Sequence, residues 1–112
     1  MARALGTIVA SAARTATGNE TVARGTSDHN NLALTLNVTA SSGTTPSLTL
    51  AVQWSADGTN FGAADPADAF TAVTGNGVVS KAFTVKAAFW RLAWTISGTT
   101  PSFTFTVDAV TY

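Results

Sequence analysis

The sequence predicts an all-β domain: an antiparallel β-sandwich, jelly-roll-like, of about seven to eight short strands. Three observations predict it. Apolar residues alternate with polar or small ones in four separate segments. Gly-, Pro-, Asn- and Asp-containing clusters separate these segments. No segment repeats its apolar residues three and four apart, as a helix burying one face would. Side chains of a strand point alternately to opposite faces, so each alternating segment has one oily and one Thr-rich face. Threonine suits the wet face, because its β-branch fits the pleat and its hydroxyl stays hydrated.

The elements follow in order. Residues 1–30 are rich in Ala, Thr and Arg, and only Ile8, Val9 and Val22 look like core. We expect an N-terminal arm or edge strands over 1–30, a candidate contact segment, and the sandwich core over 31–112, within a single domain. The opening stretch to Ala12 imitates a secretion signal, but its apolar run is short and broken by Gly6 and Thr7. An ordinary first strand or an extended arm is the expectation. Leu32, Leu34, Leu36, Val38 and Ala40 make one strand, and Leu48, Leu50, Val52 and Trp54 a second. A weaker strand is expected near Phe70–Val73 and another over Val78–Val85. Trp90, Leu92, Trp94 and Ile96 make the next, and Phe103, Phe105, Val107 and Ala109 the last. The string Ser-Gly-Thr-Thr-Pro-Ser occurs twice, at Ser42–Ser47 and Ser97–Ser102, each time between two of these strands. Gly supplies a permissive φ and Pro fixes the return, so two hairpins closed by one turn chemistry are expected, with a duplicated binding loop as the alternative.

Composition limits the functions available. In 112 residues, 11% are charged, with six basic against six acidic side chains. No large basic patch can be assembled, so no nucleic-acid partner is expected. No apolar run is long enough for a transmembrane helix, and no membrane partner is expected. Cysteine is absent, which removes disulfides and thiolate chemistry. His29 is the only imidazole, and its neighbours Asp28, Asn30 and Asn31 place it in a polar turn. No Gly-x-Ser-x-Gly elbow and no phosphate loop occur, so no enzymatic activity, catalytic residue or cofactor is expected.

Two sets of residues keep some chemistry open. Asp57, Asn60, Asp65 and Asp68 carry enough oxygen for a calcium site, although their spacing is not that of an EF-hand and plain turns explain them. Trp54, Phe61, Trp90 and Trp94 offer aromatic faces on which a sugar could stack. The three tryptophans fall on the apolar phase of their strands, where a core role is the default.

Several blocks together resemble a known family. They are the Arg14–Gly18 opening, Leu34–Thr39, Ser42–Pro46, Gln53–Phe61 and Phe89–Phe105. The sequence resembles small β-sandwich virion structural proteins, of the head decoration or minor capsid type, from tailed phages that infect high-GC bacteria. The resemblance spans most of the chain. It implies a capsid decoration (cement) protein on the outer surface of the virion, bound to the major capsid protein and associating with its own copies, as a trimer by preference. Thr44, Thr45, Pro46, Thr99, Thr100 and Pro101 are then candidate contact residues, with the N-terminal segment and the Asp57–Asp68 loop. The alternatives are a tail or fibre component and a carbohydrate-binding or host-adhesion module.

Overall fold

The computed structural model describes residues 3–26 and 28–112; Met1, Ala2 and Ser27, all in the segment expected as an arm, lie outside the described residues. The fold is all-β and antiparallel. Strands run at Arg3–Arg14 (β1), Gly18–Asn19 (β2), Arg24–Gly25 (β3), Asn31–Ser55 (β4), Gly77–Thr84 (β5) and Phe89–Thr111 (β6). The order across the sheet is β1-β6-β4-β5, with β2 and β3 also pairing β6.

Six strands therefore form among the described residues, fewer than the alternation suggests, because β4 and β6 each run through two of the expected segments. The two Gly-Thr-Thr-Pro strings were expected as hairpin turns, and neither is one. β4 and β6 pair with each other along their whole length, from Leu32 opposite Thr111 to Ser55 opposite Phe89. Thr44 lies opposite Thr99, so the repeated string meets its own copy, related by a local twofold through that pair. Positive φ at Gly43 (113°), Thr45 (47°), Gly98 (120°) and Thr100 (46°) bends each strand without reversing it.

The bend folds the sheet onto itself. Trp94 and Phe105 sit on either side of the β6 corner, yet their ring centroids are 5.8 Å apart. A straight strand would separate them by about 36 Å at roughly 3.3 Å per residue. Phe70 beside Leu50 and Phe83 opposite Leu32 meet in the same way, at 5.8 Å. The result is sandwich-like, with two halves of one sheet facing across a shared core. Leu32, Leu34, Leu36 and Val38 fill it from one half of β4, and Leu48, Leu50 and Val52 from the other. Trp90, Leu92, Phe103, Phe105 and Val107 fill it from β6. These are the alternating residues of the sequence, so the alternation marks the buried face.

A bulge interrupts the pairing of β4 with β6. Val38 faces Phe105 and Ala40 faces Thr104, which leaves Thr39 as an extra residue. Such an insertion sharpens local twist and bend. The expected strand near Phe70–Val73 is reduced to isolated bridges, Leu48 with Val73 and Ala51 with Ala69. The early residues lie on the sheet: β1 is an edge strand along β6, and Val9 enters the core.

Candidate functional site

The sequence-derived candidates separate in space. At the corner, Thr44, Thr45, Thr99 and Thr100 are exposed and Pro46 and Pro101 half-buried. The Thr45 and Thr100 hydroxyls donate to the carbonyls of Thr44 and Thr99, 2.8 Å each. The corner is thus a polar tip whose conformation is set by backbone contact. A Cβ on Gly43 would stand 2.9 Å from Pro101 Cα and Thr100 O, and one on Gly98 would stand 2.8 Å from Thr45 O.

The four oxygen-bearing residues do not form one cage. Asp57 Oδ1 accepts the Ser55 hydroxyl and the amides of Thr59 and Asn60, and Oδ2 accepts Asn60 Nδ2. The Asn60 and Thr59 amides, then the Asn60 and Ser55 side chains, hold this carboxyl well below the usual carboxylate range. Donors rather than further oxygens surround it, which suits an anion-stabilised turn. Asp68, by contrast, is buried and accepts Trp54 Nε1 at 3.0 Å and Lys86 Nζ at 2.5 Å. The Asp65 carbonyl accepts the Asp68 amide in a single 3-10 turn, Pro66–Asp68. Among the described residues no group of three Asp, Glu, His or Cys comes close enough to hold an ion.

The aromatic residues are likewise committed. Trp90 is fully buried; Trp54 and Trp94 are half-buried against the core. Phe61 is half-buried, with the Arg91 guanidinium 4.4 Å from its ring centre and Arg91 Nε bonded to Gln53 Oε1. His29 sits in the turn that the sequence implies, its amide donating to Thr26 O.

The site that sequence reading missed is a cleft of about 290 Å³ between β1 and the 19–24 segment. Ile8, Val9 and Trp94 supply apolar lining; Arg14, Glu20 and Arg24 supply charge. The local chain explains how these meet. Segment 17–24 covers the edge of β6 with side chains standing in for a strand. The Thr17 hydroxyl accepts the Ile96 amide at 3.0 Å and donates to the Ile96 carbonyl at 3.3 Å. The Glu20 amide donates to Leu92 O while its carboxylate accepts the Leu92 amide, both at 2.9 Å. Glu20 is thereby buried, and Arg24 pairs with it.

Both arginines are held from behind. Arg24 donates to Ile8 O at 3.1 Å and lies over Trp90. Arg14 donates to the carbonyls of Ala10 and Ala12 and lies 5.1 Å from the Trp94 ring centre and 4.6 Å from that of Phe105. Desolvation lowers the Arg14 pKa, and the charge of Glu20 partly offsets this. The sequence signal was thin: Arg14 belongs to the family-like opening, but nothing in its spacing announces Glu20 or Trp94 as neighbours.

No protein-family model matches the chain, and no curated protein matches it.

Proposed function

We propose that this chain is a non-enzymatic structural protein of a tailed-phage virion, acting as a decoration protein on the outer surface of the head. It binds the major capsid protein lattice, associates with its own copies as a trimer, and stabilises the head. The sequence resemblance supplies the virion context. The observation that carries the reading is the character of the β1 edge. From Ala4 to Ala13 this strand holds no charged residue, and Ala4, Gly6, Thr7, Ala10, Ser11, Ala12 and Ala13 are exposed. Free-standing proteins commonly protect an edge strand with an inward-pointing charge. The opposite edge, β5, carries Lys81 on the same face as the buried Phe83, where it donates to Ala69 O at 2.7 Å. β1 carries no charged side chain of its own over these ten residues; the guanidinium groups of Arg14 and Arg24 reach only the carbonyls of Ile8, Ala10 and Ala12, and its small side chains permit close approach of another chain. Many weak contacts of this kind, repeated over a lattice, add by avidity.

The test is copy number in purified particles of the phage that encodes the chain, by quantitative mass spectrometry. Abundance comparable to the major capsid protein, or one trimer per capsomer junction, supports decoration. A few copies per particle would move the protein to the tail, a fibre or a vertex. Absence from particles overturns the virion reading.

A further inference from the structure

We propose that the cleft between β1 and the 19–24 segment binds the carboxylate side chain of a Glu or Asp on an extended segment of a partner protein. Charge complementarity carries the inference. Two guanidinium groups line the cleft and one carboxylate, Glu20, answers them. Glu20 is spent on Arg24 and on the Leu92 amide. The hydrogen bonds of Arg14 go to backbone carbonyls and its faces to Trp94 and Phe105. A guanidinium has five N–H donors, and the two amino nitrogens of Arg14 bond three carbonyls. Donor capacity and one uncompensated positive charge therefore remain in the cleft.

Pre-organisation favours the same conclusion. Rings and carbonyls hold both arginines in place, so less side-chain entropy is lost when an anion arrives. The surroundings suit an acidic side chain with a short apolar stem. Trp94 and Ile8 line the wall, and Val22 is 53% exposed at the rim. The volume, about 290 Å³, fits one side chain and its neighbours rather than a large cofactor. This inference is independent of the virion reading: the protein can be found in particles and fail here, or the reverse.

The test is an NMR titration of the full ¹⁵N-labelled chain with acetyl-Val-Glu-Val-amide, its Gln counterpart, and acetate. The Trp94 indole N–H reports the site, and that of Trp54, bonded to Asp68, serves as the internal control. Saturable movement of the Trp94 indole and the 19–24 amides is expected, with the Gln peptide about tenfold weaker. Acetate is expected to bind more weakly than the Glu peptide. Arg14→Gln should weaken binding about tenfold. Because Arg14 also braces β1, Val22→Asp is the second variant. It places a competing carboxylate at an exposed rim position and should weaken binding while leaving the spectrum dispersed. Equal affinity for the Glu and Gln peptides, acetate binding as tightly as the peptide, or a Trp94 indole that does not move would each overturn the proposal.

Discussion

The corner and the cleft are built on opposite principles. At the corner, two copies of one string meet, and the contacts that fix them are backbone to backbone: the position of either glycine is bounded by the other strand's carbonyls and proline Cα. At the cleft, strand pairing gives way to side chains. Thr17 and Glu20 take the places of ladder groups along β6, and Arg24 ties the segment to β1 through the Ile8 carbonyl. A backbone contact tolerates almost no substitution. A side-chain contact can be removed one bond at a time. The first arrangement suits a hinge-free fold, the second a surface that can be retuned.

The sharpest way to break the contrast is at Gly98. Gly98→Ala adds a Cβ 2.8 Å from Thr45 O at a φ of +120°, where L side chains rarely sit. Strain of this class costs about 1–3 kcal/mol, and the overlap adds to it, so a loss of about 3 kcal/mol or more is expected. Gly43→Ala should match it, since the local twofold gives it equivalent neighbours. Gly62→Ala, with nothing within 4 Å of the added Cβ, is the control and should change little. Urea unfolding of the three variants measures this. A corner variant as stable as the Gly62 variant would show that the backbone contact does not govern the fold.

Glu20 comes next, in the cleft. Glu20→Ala leaves the Leu92 amide and the Arg24 guanidinium without their carboxylate, in a region only 8% exposed at Glu20. A loss of about 2 kcal/mol is expected, below that of the corner variants. Glu20→Gln keeps an acceptor for the Leu92 amide and should lose about 1 kcal/mol. If both variants unfold at the same urea concentration, the ion pair rather than the amide bond is what matters. Thr17→Val is smaller again. It removes one hydroxyl that serves both polar groups of Ile96, and about 1 kcal/mol is expected. Faster amide exchange at Ile96 alone would mark the effect as local.

The contrast also explains what was legible in the sequence. Alternation names the buried face of β4 and β6 almost residue by residue, because one face of each strand packs on the core whatever its neighbours are. The repeated string was visible, but its meaning was not. Gly and Pro signal a change of direction equally for a reversal and for a bend. Only the pairing of Thr44 with Thr99 decides between them. Seven or eight strands were expected for that reason. The cleft was not legible, since Arg14, Glu20 and Trp94 meet through contacts between distant segments. Asp57 was legible as a turn residue, and its hydrogen bonds bear that out. The oxygen count that linked it with Asp68 carried no geometry.

Asp57 gives the smallest effect and the one that depends on pH. Its carboxyl accepts two amides, an Asn60 side chain and a Ser55 hydroxyl, and its folded pKa lies below the ordinary value of about 3.9. The unfolded chain therefore binds a proton more readily than the folded one. The stabilisation is fully present above roughly pH 4 and is lost as pH falls toward the folded pKa. Asp57 is fully exposed, so solvent screening keeps the effect modest. Other carboxylates titrate in the same range, and Asp57→Asn separates them. The stability gap between the parent chain and Asp57→Asn should be constant from pH 7 to pH 5 and narrow below roughly pH 4. A gap that stays constant down to pH 2 would show that the turn does not prefer the charged carboxylate. The loop would then be held by the Ser55 hydroxyl, which accepts the Asp57 and Gly58 amides in its own right.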